Sequence, residues 1–419
     1  MPIDDSCETL VRTWAEWLKD APAEQCFFVR GGGTKLALLP WEVSEDRDLP
    51  IELRRPQKDA ARPPREICTE KLTGIIEYRP AEFTITVYAG TPVSEVMAVL
   101  NAHGQYLPFE SPFHVATYDE FDKAQSGRQT NDLGNSSSRR TQSANRTTVG
   151  GMVAAGINGP GRLKHGGLRD FILEVRYIDG SGEIRRGGRR VVKNAAGFDI
   201  PKLMVGSCGR FGVIVDATFK VFPKPRDYLT LHFIPEQLGG TIEIVTTLLT
   251  HPWDLDAIEI LADSSVLVRL SGHSEALLKH GQRIQSRLSK YYCSFLTGAQ
   301  QHQAWSAHSD WIWGEPNSTL LKVPLSLRRI FELDEALEEL DIRRVYGSAG
   351  NVAWLQWETV LEQQAGRLKR LHRQLLELRL QGQIVQGPCA HHFSGASNGR
   401  PFFDRLKSVF DPHGRLGFV

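Results

Sequence analysis

The segment from Thr147 to Pro225 is dense in glycine and other small residues, interleaved with short apolar runs. Glycine permits positive φ angles and removes the side chain that would keep a ligand away from backbone N–H groups. It also loses more conformational entropy on folding than any other residue, and it fills no core. The pattern therefore predicts a backbone that lies against a large flat ligand, for which a dinucleotide is the first candidate.

A second glycine-rich loop follows a short strand-like run at 26–30. It consists of Gly31, Gly32, Gly33, Thr34 and Lys35. Successive N–H groups, a hydroxyl and a positive charge could together cradle a pyrophosphate. The loop matches neither GxxxxGK[ST] nor GxGxxG, and a triple glycine on its own is often only a turn.

The start of the Thr147 segment is more specific. It places Thr148, Val149, Gly150 and Gly151 shortly before Gly156. Small residues at this density let backbone amides approach phosphates and a ring system. The alternative is a closely packed helix start, but two such loops far apart in sequence favour the two walls of one cofactor cleft.

The length of 419 residues predicts two domains, and Pro223 and Pro225 are a candidate boundary. We expect domains at 1–225 and 226–395, with the tail 396–419 returning to the first. Strand-like and helical runs alternate in the second half, which predicts an α+β layer with helices on one face of an antiparallel sheet. The segment 117–146 is rich in Ser, Asn, Gln and Arg, which predicts a flexible surface insertion, although a docking role remains open.

Charge and cysteine content exclude several classes. Lys and Arg total 50 against 49 Asp and Glu, so no general attraction to nucleic acid is expected. The six cysteines form no CxxC pair, so zinc and iron–sulfur sites lack their usual spacing and we expect no metal site. No run of about 18 apolar residues occurs, which favours a cytoplasmic protein and leaves peripheral membrane attachment through a partner open.

Five motifs in order resemble one flavoprotein family. They are RGGGTKL, AGTPVSEVMAVL, GQYLPFESP, TVGGMVAAGINGPGRLKHGGLRDFILEVRYIDGSGEI and KNAAGFDIPKLMVGSCGRFGVIVDATFKVFPKP. Their order over about residues 20 to 225 resembles the FAD-binding domain of the vanillyl-alcohol oxidase (PCMH-type) family. Within it, the chain is most similar to the FAD-binding subunits of glycolate oxidase complexes.

The resemblance implies an α+β fold in which two α/β subdomains grip FAD beneath a smaller α+β cap. It assigns the pyrophosphate to Gly31, Gly32, Gly33, Thr34 and Lys35. It assigns the phosphates and the ribityl chain to Thr148, Val149, Gly150, Gly151 and Gly156, and the isoalloxazine to the backbone of Val213 and Ile214. Pro108 and Glu110 would lie near the cleft wall, and Gly166, Arg169 and Asp170 match a further motif in which Asp170 could equally be a structural cap.

Two departures from the family bear on function. Thr34 and Lys35 stand where some relatives attach FAD covalently through histidine, so non-covalent FAD is expected. The HxGDGNxH-like metal-associated motif of relatives that oxidise 2-hydroxy acids directly is absent from the sequence. No catalytic base is assigned. His391 and His392 are candidates, but a histidine pair more often has a structural role in which its hydrogen bonds are made within the protein.

The resemblance implies an FAD-dependent oxidoreductase that oxidises a small 2-hydroxy acid as one subunit of a complex. Its partners would be a second flavoprotein and an iron–sulfur subunit. Two alternatives remain open: a self-sufficient FAD oxidoreductase acting on another alcohol or a sugar, and a non-catalytic flavin-binding assembly subunit.

Overall fold

A computed structural model describes residues 5–22, 25–32, 65–110, 147–188, 198–313, 318–358, 361–387, 393–396 and 399–416. We call the residues up to 225 the N-terminal half and residues 226–395 the cap. The predicted insertion at 117–146 lies outside the described residues.

The N-terminal half contains nine strands among its described residues. They are β1 Phe27–Arg30, β2 Arg65–Cys68, β3 Ile75–Arg79, β4 Thr84–Tyr88, β5 Gln105–Tyr106, β6 Ile172–Ile178, β7 Ile184–Gly188, β8 Val213–Lys220 and β9 Phe222–Pro223. Its helices are α1 Asp5–Asp20, α2 Val93–Ala102, α3 Val149–Ala155, α4 Arg162–His165, α5 Leu168–Phe171 and α6 Ile200–Met204. β1 and β2 form a parallel pair that is separate from the main sheet.

The main sheet of this half has five strands in the order β3-β4-β8-β6-β7. An Asp-Gly-Ser-Gly turn connects β6 and β7 into a hairpin. The Asp179 carboxylate accepts hydrogen bonds from Ser181 and from the Glu183 N–H, and Gly182 takes a φ of 82°. Helix α1 is tied to the sheet by Arg176, which binds both Glu8 and Asp216.

The cap is built on a nine-stranded sheet in the order β13-β10-β12-β11-β15-β16-β14-β17-β18, with antiparallel pairing throughout its described register. Its strands are β10 Asp227–Ile234, β11 Ala257–Ile260, β12 Val266–Gly272, β13 Tyr292–Leu296, β14 Ser318–Pro324, β15 Arg343–Gly347, β16 Val352–Glu358, β17 Gln381–Gln386 and β18 Phe393–Gly395. Its helices are α7 Leu238–Thr250, α8 Ser274–Arg287, α9 Gly298–Trp313, α10 Ile330–Leu337 and α11 Leu361–Glu377.

The two faces of the cap sheet carry different elements because side chains alternate along each strand. Leu229, Leu231 and Phe233 belong to the apolar core that the sheet shares with α7, α8, α10 and α11. Helix α9 packs on the opposite face, where the Trp305 indole donates a hydrogen bond to Thr230. Helices on one face were expected from the sequence, whereas α9 was not.

The C-terminal helix α12, Arg400–Phe410, leads the chain back to the N-terminal half. Leu416 forms a parallel bridge with Phe27 of β1, and both side chains are buried in the core of that half. The Lys407 ammonium, also buried, donates to Asp411 and to the carbonyls of Arg210 and Leu416. The tail therefore braces β1 immediately before the first glycine loop.

A threonine followed by a proline is a typical N-cap and first helical residue. In this chain, however, α2 begins at Val93 with Pro92 at the cap position. The Thr91 hydroxyl is bonded to the backbone of Gly74 instead. Over the parts of the chain that the structure describes, no helix has the length and apolar character needed to cross a membrane.

Candidate functional site

The structure brings the two predicted glycine segments together at Gly31 and Thr148. A Cβ added at Gly31 would lie only 2.3 Å from the Thr148 Oγ1 atom, so a larger residue would force the segments apart. Gly32 follows and is buried. Gly33, Thr34 and Lys35 lie outside the described residues, so their assignment to the pyrophosphate stays a prediction.

Thr148 is the N-cap of α3, since its hydroxyl accepts a hydrogen bond from the Gly151 N–H at 3.2 Å. The N–H groups of Val149, Gly150 and Met152 donate to the carbonyls of Thr91, Ala89 and Thr148. A Cβ at Gly150 would lie 2.8 Å from that of Ala89, and the Val149 side chain is in the core. The first turn of α3 is therefore a closely packed helix start, which is the alternative to a ligand contact. Its first four N–H groups already donate to acceptors within the chain.

Gly156 ends α3 in the left-handed conformation, with a φ of 61°, and a Cβ there would lie 2.8 Å from the Gly206 nitrogen. Gly206 belongs to a loop at 206–210 that we call the arginine loop. It is bonded to α3, because the N–H groups of Gly206 and Cys208 donate to Val153 and Ala154. The other side of the loop faces β1, where a Cβ at Gly209 would lie 3.6 Å from that of Val29.

The arginine loop holds two buried polar atoms without a hydrogen-bond partner, the Ser207 hydroxyl oxygen and the Arg210 Nη2 atom. Ser207 is 4% exposed and Arg210 is 8% exposed. The space around the position that a Cβ of Gly206 would take is empty to a distance of 4 Å. Unlike the amides of α3, these donors are unused, which fits a ligand with anionic oxygens such as the diphosphate of FAD.

Three other predicted residues have roles within the chain. Pro108 lies against Gly161, where a Cβ would fall 2.2 Å from the Pro108 carbonyl oxygen. Gly166 has a φ of 86° and lies against Asp170, whose carboxylate accepts the Gly167 N–H and so acts as a structural cap.

Val213 and Ile214 begin β8, where they pair with Ile178 and Tyr177 of β6. Both side chains are buried in the core of the N-terminal half. The pairing of β8 with its other neighbour, β4, runs from Lys220 only as far as Asp216. The assignment of Val213 and Ile214 to the isoalloxazine stays a prediction.

Charged side chains join the N-terminal half to the cap along what we call the seam. The buried Arg269 guanidinium lies between Glu110, at 2.9 Å, and Asp256. His165 Nε2 lies 3.5 Å from the Asp256 carboxylate, and Lys164 pairs with Asp254. Burial alone would raise the pKa of Asp256, but Arg269 and His165 outweigh it and hold that pKa at about 2.

A cavity of about 790 Å³ lies along the seam. Glu110 and Asn158 line it from the N-terminal half, and Arg269, Trp305 and Trp354 line it from the cap. Trp354 also packs with Ala155 and Ile157, at the C-terminal end of α3. The cavity therefore reaches the end of α3 opposite to the contact with Gly31.

A buried histidine–carboxylate pair lies in the wall of this cavity. His308 Nε2 is 3.1 Å from Glu259 Oε2, and Glu259 Oε1 accepts the Ser348 N–H at 2.9 Å. An ionised carboxylate only accepts, so in the neutral tautomer that donates to Glu259 the proton is on Nε2 and Nδ1 has the free lone pair. Nδ1 has no hydrogen-bond partner. Sequence reasoning missed this pair, although a lone glutamate in the apolar run of β11 was a signal.

Lys322, on β14, is a further cation near the arginine loop. Burial and the neighbouring charge of Arg162 lower its pKa to about 8, against the opposing effect of Cys208. Burial raises the pKa of the Cys208 thiol. His391 and His392 lie outside the described residues, within which no cluster of three or more His, Cys, Asp or Glu could hold a metal ion.

Comparison with known proteins adds to this geometry. Residues 125–188 match the family model FAD_binding_4, described as an FAD binding domain. The match begins inside the segment 117–146 that the sequence suggested was an insertion. Across nearly the whole chain the fold is similar to a solved structure of alkyldihydroxyacetonephosphate synthase, with a TM-score of 0.60, 14% identity, and coverage of 98% of this chain and 73% of that one.

Curated relatives are similar over part of the chain. Glycolate oxidase subunit GlcE of Escherichia coli is 38% identical over 203 residues, which is 48% of each protein. Glycolate oxidase subunit GlcD of Bacillus subtilis is 30% identical over 29% of this chain and 26% of its own length. D-lactate dehydrogenase of Anaerostipes hadrus is 32% identical over 29% of this chain and 25% of its own length.

The matches thus span about half of GlcE and about a quarter of the other two relatives. The family model, the shared fold and the motif order agree with one another. Residues 125–188 therefore match an FAD binding domain, in a chain whose fold is similar to that of alkyldihydroxyacetonephosphate synthase.

Proposed function

We propose that the chain is the FAD-binding subunit of a glycolate-oxidase-like complex and takes part in oxidising a small 2-hydroxy acid. The 38% identity to GlcE over 203 residues carries this proposal. The similarity to D-lactate dehydrogenase and to GlcD supports the same substrate class. GlcE and GlcD are each named as a subunit of a glycolate oxidase, which supports a complex of more than one subunit. A second flavoprotein is the partner in this proposal.

In this proposal, FAD is held where the backbone can approach it closely, at Gly31, Gly32, Thr148 and Gly156. The amides of α3 do not bind it, because they have other partners. Attachment is non-covalent. Bound FAD supplies a two-electron acceptor for the substrate C–H bond. An iron–sulfur subunit would receive the electrons, and attachment to a membrane would come through such partners.

The seam cavity is the proposed substrate site. Oxidising a hydroxy acid to an oxo acid removes a hydride from the carbon, which bound FAD would accept, and the hydroxyl proton, which a base must take. His308 suits that base, because Glu259 fixes its Nε2 as donor and leaves Nδ1 to accept a proton. Glu110 and Arg269 would keep the two halves of the site in register.

The proposal is tested by adding glycolate or D-lactate anaerobically to the FAD-loaded chain. Bleaching of the flavin band shows that the chain itself oxidises the acid. A flavin that stays oxidised in the chain alone but is bleached in the assembled complex supports the assembly-subunit alternative. No bleaching in either, with bleaching by another alcohol or a sugar, contradicts the proposed substrate class.

A further inference from the structure

We propose that Arg210 and Ser207 form an oxyanion-binding site, and that the oxyanion is the diphosphate of FAD. The first reason is electrostatic. Arg210 is 8% exposed, and no carboxylate among the described residues lies within ion-pair distance of its guanidinium. Arginine stays charged at any ordinary pH, so it cannot avoid the cost of burial by losing its proton. A buried charge of this kind requires a partner of opposite sign.

Among the described residues, the side chains that contact the Arg210 guanidinium are aromatic. Its guanidinium carbon lies 5.6 Å from the centre of the Phe393 ring on β18 and 5.5 Å from that of Phe403 on α12. These contacts orient the guanidinium plane but neutralise no charge and satisfy no N–H group. Nη2 therefore remains without an acceptor.

The second reason is the neighbouring hydroxyl. Ser207 precedes Arg210 by three residues, and the Arg210 N–H donates to the Ser207 carbonyl in a tight turn. The Ser207 hydroxyl is buried and has no partner either. A guanidinium nitrogen and a hydroxyl that both lack partners in one turn match the donor set that phosphate or carboxylate oxygens require.

The main chain of this turn is held on several sides. Lys407 donates to the Arg210 carbonyl at 2.8 Å, and the loop is bonded to α3 through Gly206 and Cys208. The donors are therefore preorganised, which lowers the entropic cost of binding.

The location favours FAD as the source of the oxyanion. The arginine loop contacts α3 on one side and β1 on the other, so it lies beside the place where Gly31 meets Thr148. The α3 amides expected to bind phosphate are occupied, whereas the donors of Ser207 and Arg210 are not. The carboxylate of a 2-hydroxy acid has the same chemistry and is the competing source.

The test uses the full chain, stripped of flavin, as wild type and as Arg210→Met, Arg210→Lys and Ser207→Ala. Arg373→Met, which removes an exposed arginine on α11, is the matched control. FAD, riboflavin and inorganic pyrophosphate are titrated into each apoprotein, and glycolate is titrated into each FAD-loaded protein. The thermal midpoint of each apoprotein is also measured.

Arg210→Met should weaken FAD and pyrophosphate binding by about ten- to a hundredfold and leave riboflavin binding unchanged. Arg210→Lys should recover part of the affinity, and Ser207→Ala should lose less than Arg210→Met. The apoprotein of Arg210→Met should be at least as stable as wild type, because an uncompensated buried charge has been removed.

A lower thermal midpoint for the Arg210→Met apoprotein, with FAD affinity unchanged, would overturn the proposal and assign Arg210 a structural role. Weakened glycolate binding with unchanged FAD and pyrophosphate binding would overturn the diphosphate assignment in favour of the carboxylate. The inference rests on FAD being the cofactor. Failure of wild type to bind FAD would instead refute the proposed function, while the pyrophosphate and stability measurements would still test the site.

Discussion

Two buried arginines in this molecule have opposite surroundings. Arg269, in the seam, lies between the carboxylates of Glu110 and Asp256, so its charge is balanced by residues from both halves of the chain. Arg210, in the arginine loop, has aromatic neighbours and an unsatisfied Nη2 atom. Burial imposes a desolvation cost on each guanidinium, but among the described residues only Arg269 has carboxylates that offset it. We infer that the charge of Arg269 fixes the geometry of the two halves, whereas the charge of Arg210 is available to bind a ligand.

The same contrast extends to the neighbours of each arginine. Around the seam, charged groups pair across the two halves and surround a cavity with one free histidine nitrogen. Around the arginine loop, glycines bring backbone segments into contact. We therefore expect variants of the seam to affect turnover and domain docking, and variants of the loop to affect cofactor retention.

The largest expected effect separates turnover from cofactor retention. His308→Gln should lower kcat for 2-hydroxy acid oxidation by about 10²- to 10⁴-fold, because the proton acceptor is lost. FAD content should not change, since His308 lies in the seam cavity. Steady-state kinetics and flavin extraction measure both quantities in the complex, with exposed His413→Gln as control. Wild-type turnover in His308→Gln would contradict this role.

The second-largest effect concerns Arg269, whose charge is balanced by two carboxylates. Asp256→Ala leaves Arg269 with one carboxylate in a buried setting, so the free energy of unfolding should fall by about 3–5 kcal/mol. Asp254→Ala, at an exposed carboxylate in the same seam, should cost no more than about 1 kcal/mol. Urea denaturation measures the two. Equal losses would show that the buried pair is not what distinguishes the seam.

The acid stability of the protein follows from the same pair. The folded pKa of Asp256 is about 2, below its usual value of 3.8, so its stabilising contribution is complete above pH 3.8 and disappears as the pH falls through about 2. Urea denaturation across this window should therefore give a steeper acid loss for wild type than for Asp256→Ala. Identical pH profiles would contradict the depressed pKa.

A smaller effect tests the contact between the glycine segments. Gly31→Ala places a methyl group against Thr148 Oγ1, which should cost about 1–3 kcal/mol and reduce FAD retention. Thr148→Ala should relieve part of this cost in the double variant, so the two changes should not be additive. Gly239→Ala, with open space around its Cβ position, is the control. Additive losses in the free energy of unfolding would show that Gly31 and Thr148 are not in contact.

The smallest effect concerns Lys322, the other cation near the arginine loop. Its folded pKa of about 8 lies below the ordinary 10.5, so the unfolded chain binds more protons between these values and stability should rise with pH across that window. The rise should be on the order of 1–2 kcal/mol, discounted because the side chain is only half-buried. Lys322→Met should abolish it in denaturation series across the same window.

Local signals in the sequence account for much of the fold. The Asp-Gly-Ser-Gly turn between β6 and β7 and the cap of Asp199 on α6 depend only on residues a few positions apart, so the local sequence is enough to specify them. The antiparallel cap sheet also follows from alternation within single strands. Helix α9 was missed because its histidines, glutamines and tryptophans show little amphipathic periodicity.

The site was harder to predict because its contacts join distant residues. Glu110 and Arg269 are separated by 159 positions, and Glu259 and His308 by 49. The glycines at 150 and 156 were read as ligand contacts, but their absent side chains also make room for Ala89 and Gly206. A sequence shows that a glycine is needed without showing whether ligand or protein occupies the space.

The most direct test of non-covalent FAD binding is the flavin content of the chain expressed and purified by itself. After incubation with excess FAD and removal of the unbound cofactor, we expect one FAD per chain, which is released into the supernatant when the protein is precipitated with acid. A colourless protein would contradict the proposed site, and flavin that remains in the precipitate would contradict non-covalent binding.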